Sequence, residues 1–136
     1  MIVVDASSVV EFLLAGERGP AAVIGAFTQG DVLAPDLLDA EVLRVYVGFE
    51  KRGVLPADAV DRALAVLVDA PITRVPNAEL VCAAWRYSRA LSSDDALYVA
   101  LAALLGCTLL TADGGIARTA PAQLGVAVTF VPRAAW

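Results

Sequence analysis

The stretch Ser92-Ser93-Asp94-Asp95-Ala96-Leu97-Tyr98-Val99-Ala100-Leu101-Ala102-Ala103-Leu104-Leu105-Gly106-Cys107-Thr108-Leu109-Leu110-Thr111-Ala112-Asp113 decides how the chain folds. It begins and ends in acid, and no charged residue lies between Ala96 and Leu110. Such a run reads as a membrane span, as one buried helix, or as a buried helix followed by a buried strand. A span of the bilayer core needs about 20 apolar residues, and this run is shorter and is interrupted by Gly106 and the β-favouring Cys107-Thr108-Leu109-Leu110-Thr111. Gly106 suits the left-handed position just past a helix end, which selects the third reading. Ser92 or Ser93 caps the helix, and Asp94 and Asp95 sit in its first turn, where the positive end of the macrodipole favours carboxylates. The helix descends about 16 Å at roughly 1.5 Å per residue. The strand climbs back a similar distance at about 3.3 Å per residue. Asp95 and Asp113 therefore return to one level, at the carboxyl end of a buried strand, the edge where parallel sheets bind ligands.

The rest of the composition bounds what such a core can belong to. A chain of 136 residues is read as one domain, 1–136, large enough for a two-sided core. With 59% hydrophobic and 18% charged residues it suits a compact α/β domain whose sheet is largely covered. It opens on an apolar run and Asp5 with no basic leader, so no signal peptide is read and a cytoplasmic location is expected, with no membrane partner. Cys82 and Cys107 lack metal-type spacing and read as two reduced core thiols. The absence of His removes His-based metal sites, triads and imidazole acid/base work. A net charge of −5, from one Lys and nine Arg against fifteen acids, argues against a broad nucleic-acid face. Acids gathered around a cation are partly neutralised by it, however, so a local contact with nucleic acid stays open.

Taken in order, Ile2-Val3-Val4 reads as a central strand with Asp5 at its carboxyl end. Ser7 or Ser8 caps a helix through Val9, Val10, Phe12, Leu13 and Leu14 to Gly16. Gly19-Pro20 restarts a second helix, Pro being suited to the first helical position, and it runs to Gly30. Val32-Leu33-Ala34 is a strand stopped by Pro35, and Asp36 caps a third helix reaching about Arg52. That helix carries Leu38, Val42, Val45, Tyr46 and Phe49 at helical spacing. Leu37, Leu43 and Val47 lie outside the stripe, so a second side is covered either by the chain's own core with a loop or by a partner, of which the partner is the favoured reading. Glu41 lies in its second turn. Pro56 opens a helix whose buried stripe is Val60, Leu64, Leu67 and Val68, ended by Pro71, and Ile72-Thr73-Arg74-Val75 fits a strand. Asn77 caps a helix bearing Leu80, Val81, Ala84, Trp85 and Ser88 on one face, up to Leu91. After the central stretch, Gly114-Gly115 leads into a short helix that Pro121 stops, and Val126 to Val131 is a last strand. Strands alternating with helices mark a parallel α/β sheet in one layered domain.

Right-handed crossovers point successive parallel strands the same way, so Asp5 and Asp113 share an edge. Asp95 joins them by the rise of its helix, and Glu41 lies near the end of the helix that leaves that edge. Four clustered carboxylates disfavour one another's ionisation, and a divalent cation relieves this. Oxygen ligands without His or Cys favour Mg2+ or Mn2+ over Zn2+.

These residues carry a likeness to a known family. Ile2-Val3-Val4-Asp5-Ala6-Ser7, the Glu41-Val42-Leu43 segment after Ala34-Pro35, the Asp95-Ala96-Leu97-Tyr98-Val99-Ala100-Leu101-Ala102 run and Leu109-Leu110-Thr111-Ala112-Asp113 stand in the order and spacing of the PIN-domain nucleases. Among these the chain resembles the VapC toxins of bacterial toxin-antitoxin pairs, over nearly its whole length. The resemblance implies a three-layer α/β/α sandwich with a central, mainly parallel sheet. It also implies a metal-dependent endoribonuclease that cuts single-stranded or loop RNA. Asp5, Glu41, Asp95 and Asp113 match the family's acidic quartet, which would hold one or two Mg2+ or Mn2+ ions. Ser7 and Thr111 match small hydroxyl positions that support the site through hydrogen bonds. A homodimer and a small antitoxin protein as inhibitor are implied as well, with part of the contacts on the helix around Leu43 and Val47.

Two positions depart from the family pattern. Asp94 precedes Asp95 where an aromatic or small residue often stands, so either could be the ligand, although the Ala-Leu-Tyr that follows favours Asp95. Gly114-Gly115 follows Asp113 where basic residues are common, leaving Arg44, Arg86, Arg89 and Arg118 as candidates to meet RNA phosphate. Each acid also has a plain structural role open to it: Asp5 as a helix cap, Asp94 and Asp95 as dipole partners, Glu41 as a surface acid, Asp113 as a turn former. A dinucleotide fold is excluded by the lack of Gly between Asp5 and Val10. The rival of another class is a PIN-like module that keeps its acids and binds RNA or protein without cleaving, for which low basicity is the argument.

Overall fold

The computed structural model describes residues 1–133. Five parallel strands form one sheet: β1 (Ile2–Val4), β2 (Val32–Pro35), β3 (Ile72–Val75), β4 (Thr108–Thr111) and β5 (Val128–Phe130), in the order β3-β2-β1-β4-β5. Val3 lies beside Leu33 on one side and Leu109 on the other. Seven α-helices are present among the described residues: α1 (Ala6–Ala15), α2 (Ala21–Gln29), α3 (Leu37–Lys51), α4 (Ala57–Asp69), α5 (Val81–Trp85), α6 (Ser93–Leu105) and α7 (Gly114–Leu124). The chain moves outward from β1 to β2 to β3, then returns to β4 on the other side of β1 and moves on to β5. With right-handed crossovers, α1 to α4 then cover one face and α5 to α7 the other. The contacts agree, since α1, α3 and α4 pack on one another while α6 lies over β1, β2 and β4 with α5 against it. The core is the run of side chains between these layers, with Val3, Val4, Ala34, Leu38, Val42, Val99, Leu109 and Val131 at 0% exposure.

The central stretch folds as its sequence indicates. Ser92 caps α6 by accepting the Asp95 amide at 3.2 Å, Asp94 and Asp95 occupy the first turn, and Gly106 adopts φ 61°, the left-handed conformation that turns the chain into β4. Among the described residues no helix is long and apolar enough to cross a membrane.

Several local expectations are corrected. Helix α1 is capped by Asp5, whose Oδ1 accepts the Ser8 amide at 2.9 Å, and not by Ser7 or Ser8. Pro20 stands just before α2 with ψ 127°, because its amide-free nitrogen fits the cap position as well as the first turn. Asp36 does not cap α3 with its own side chain. It accepts the Asn77 amide at 3.1 Å while Asn77 Oδ1 accepts the Leu37 amide at 3.2 Å, so the helix start is finished by a residue 40 positions away. Asn77 is thereby lost as a helix cap. The segment after it forms a short 3-10 turn, the five-residue α5 and further turns, instead of one helix to Leu91. Its i→i+3 bonds, such as Tyr87 N to Ala84 O, rotate the faces away from a 3.6-residue period. Leu80 and Ala84 stay buried, but Val81 and Trp85 turn outward, Trp85 to 77% exposure. Cys82 on the same helix is exposed and is no core thiol. On α4, Val68 is 73% exposed and does not belong to the buried stripe. Pro121 lies inside α7 and does not stop it; its exposed position lets water take the carbonyl it leaves unbonded. The last strand is confined to Val128–Phe130.

Candidate active site

The chain reverses its direction of travel across the sheet between β1 and β4, the switch point at which open α/β sheets form a crevice beyond the carboxyl ends of their strands. Asp5 leaves β1 at that point and Thr111 ends β4 beside it, with the Asp5 amide donating to Leu110 O at 3.1 Å. Asp113 follows two residues later as the cap of α7, its Oδ1 accepting the Ile116 amide at 3.0 Å. From the other layers, α6 brings Asp95 on its first turn and α3 brings Glu41 on its second. Asp5, Ser7, Glu41, Asp95 and Asp113 line one cleft of about 190 Å3, together with Ala6, Arg44, Val45 and Tyr98. The structure thus gathers four sequence-nominated acids from four segments. Asp94 does not line the cleft.

Asp5 is the deepest of them, at 3% exposure. Ser7 Oγ donates to its Oδ1 at 2.8 Å, and Thr111 Oγ1 donates to its Oδ2. The same two hydroxyls accept backbone amides, Ser7 from Ala112 at 2.8 Å and Thr111 from Asp113 at 2.9 Å. Burial pushes the Asp5 carboxyl up to about 6, against the hydrogen bonds from Thr111, Ser8 and Ser7, which favour its charged form. Glu41 is raised by burial and by the nearby charges of Asp94, Asp95 and Asp5, while the hydroxyl of Tyr98, 2.6 Å from its Oε1, acts the other way. Asp95 is raised by burial and by the charge of Asp113. The cleft therefore holds carboxyls that resist ionisation. The ion pairs of Arg62 with Asp58 and of Arg74 with Asp39 lie elsewhere.

The four Arg candidates separate. Arg44 lines the cleft, one turn along α3 from Glu41. Arg118 folds back along α7 so that its Nη1 would stand 3.1 Å from a Cβ placed on Gly114, and it does not line the cleft. Arg86 and Arg89 are exposed on the turns after α5 and do not line the cleft. Sequence reasoning passed over Tyr98 as a cleft residue. Its position three residues after Asp95, on the same helix face, could have flagged it, but its partner on α3 could not be read from spacing.

All donors in the cleft are oxygens, since the chain has no His and neither cysteine lines it. Among the described residues no three acids stand close enough together to form a ready-made cage for an ion. An all-oxygen set of side chains suits a hard cation rather than a soft one.

The sequence and the fold are similar to those of known proteins. The model of the PIN domain matches residues 2–121. Ribonuclease VapC3 of Mycobacterium tuberculosis is 38% identical over 120 residues, 88% of each chain. Among solved structures, that of Mycobacterium tuberculosis VapC20, described as a sarcin-ricin loop cleaving toxin, is similar at a TM-score of 0.63 and 21% identity, over 88% of this chain and 95% of that one. VapBC2 from Rickettsia felis, solved bound to a DNA fragment from its promoter, is similar at a TM-score of 0.62 and 10% identity, over 96% and 99% of the two chains.

Proposed function

Because the chain belongs to the PIN-domain family, in the branch of the VapC ribonucleases, we propose that it is a Mg2+- or Mn2+-dependent endoribonuclease and the toxin of a toxin-antitoxin pair. The observation that carries this reading is the convergence of Asp5, Glu41, Asp95 and Asp113 on one cleft at the switch point of the sheet, with no protein cation paired to them among the described residues.

In this reading carboxylates of this quartet would hold the cation together with water and RNA phosphate. A bound divalent ion supplies Lewis-acid stabilisation of a phosphodiester and a more acidic water for in-line attack. The chain's own residues prepare the site. Ser7 and Thr111 fix both oxygens of Asp5 and, through their lone pairs, the backbone on either side of Ala112. Asp113 is held by capping α7. Arg44 lines the cleft and is the sequence-nominated cation placed to meet RNA phosphate, and Arg133, whose Nε donates to Ala112 O at 3.2 Å between Thr111 and Asp113, adds positive charge beside it.

A small antitoxin protein is the proposed inhibitor, and a homodimer the proposed assembly. The exposure of Leu43 and Val47 on α3, one turn apart and on the helix that carries Glu41, supports a protein contact there. Incubating the protein with structured RNA, with Mn2+ and with a chelator, tests the activity. Cleavage that requires Mn2+ and is lost in Asp5→Ala and Asp95→Asn is expected. RNA bound but uncut under either metal would favour a binding module instead.

A further inference from the structure

We infer that Tyr98 is a positioning residue whose buried hydroxyl holds the Glu41 carboxylate in the acid cleft, ready for a divalent cation. The inference rests on the metal-dependent reading above and deepens it.

The four acids differ in how they are held. Asp5 takes hydrogen bonds from Ser7 and Thr111, Asp113 is fastened as the cap of α7, and Asp95 has a short side chain on the first turn of α6. Glu41 has none of these local supports. It lies within α3, carries the longest and most rotatable side chain of the four, and faces the charges of Asp94, Asp95 and Asp5. Like charges drive such a side chain outward to water. Tyr98 opposes that motion: its Oη donates to Glu41 Oε1 at 2.6 Å, a short charge-assisted bond between helices, formed by a ring only 1% exposed. The ring is locked by packing, so the hydroxyl has little freedom to follow a carboxylate that moves. Only Oε1 is taken, and Oε2 has no protein donor among the described residues. One helix thus contributes an acid directly, Asp95, and one turn later fixes the acid of another helix.

Cation affinity measured without RNA tests this. Free Mn2+ is followed by electron paramagnetic resonance in titrations of the wild type, Tyr98→Phe, Glu41→Gln and the double variant. A fifth protein carries 3-fluorotyrosine at position 98, which keeps both ring and hydroxyl. Tyr98→Phe is expected to raise the Mn2+ Kd about tenfold to a hundredfold, the usual effect of removing a partner that orients a ligand. The fluorotyrosine protein should stay within about twofold of wild type, and Tyr98→Phe should add less than about twofold in the Glu41→Gln background, since both changes remove one interaction. An unchanged Kd in Tyr98→Phe overturns the inference and leaves the metal reading standing. So does an equal loss in the fluorotyrosine protein, which would assign the effect to packing. A wild type that binds no Mn2+ overturns the metal reading and the inference with it.

Discussion

Asp39 and Asp5 are both fixed by side-chain hydrogen bonds near the carboxyl ends of neighbouring strands, and the chain treats them in opposite ways. Asp39, on the first turn of α3, receives a bidentate guanidinium from Arg74, which also donates to the carbonyls of Leu67, Ala70 and Ile72 and so ties α4, β3 and α3 together. Asp5 receives hydroxyls and an amide, and no ion pair in the described residues reaches it. The first arrangement is finished within the protein. The second leaves negative charge in a place that water barely reaches, to be balanced by a proton or by a cation from outside. A site built for binding is distinguished here from a structural one by the partner it lacks.

Asp5→Asn should give the largest departure. RNA cleavage is expected to fall by more than about a hundredfold, beyond what loss of an outer partner costs. Stability should move the other way. With its carboxyl raised from 3.8 to about 6, Asp5 holds a proton in the folded state that the unfolded chain releases. Wild-type stability therefore falls as pH rises from about 4 to about 6, by about 3 kcal/mol from this group. The variant lacks that slope, so urea melts should show it more stable than wild type at pH 7.5 and level with it near pH 4. A variant less stable at both pH values would mean that Asp5 is a structural acid like Asp39.

Mn2+ should reproduce that gain without a mutation. At a hundred times its Kd the ion should stabilise the wild type by about 3 kcal/mol, read as a rise in melting temperature that a chelator reverses and that Asp5→Asn lacks. Arg74→Met should cost about 1 kcal/mol, because it leaves Asp39 without its partner and removes the guanidinium from carbonyls of Leu67 and Ala70 that keep the amides of Ala70 and Ile72 as donors, partly discounted for the exposure of the pair. Its cleavage rate below the melting transition should match wild type. The smallest effect is expected from Asp94→Asn, which removes a charge beside the cleft and no residue that lines it. Cleavage should stay within about threefold of wild type, whereas Asp95→Asn abolishes it.

The helix-to-strand reversal at Gly106 was legible because one glycine, a capping serine and an apolar run all favour the same local structure, and agreement between levels makes a reading hold. The acidic edge followed from it by counting rise per residue. The segment from Asn77 to Leu91 was not legible. Its apolar residues suit a helical stripe, but the Asn77 side chain is used on the start of α3, and i→i+3 bonds turn Val81 and Trp85 outward. Both are tertiary outcomes. The role of Tyr98 was hidden for the same reason, since its partner lies 57 residues away on a helix whose approach no local pattern states. Two adjacent acids on one helical turn look alike in sequence, and that Asp95 and not Asp94 lines the cleft is again a tertiary outcome.

The hydroxyls around Asp5 also have a polarity. Ser7 and Thr111 each own one hydrogen, and each spends it on Asp5 while its oxygen accepts an amide. The 3.3 Å approach between those two oxygens consequently has no hydrogen left to share. The wiring runs one way, towards a carboxylate that accepts on both sides. The described donors take two acceptor positions on Oδ1 and one on Oδ2, so a single lone pair of Oδ2 stays open, and a proton and a cation from the solvent would compete for that one place.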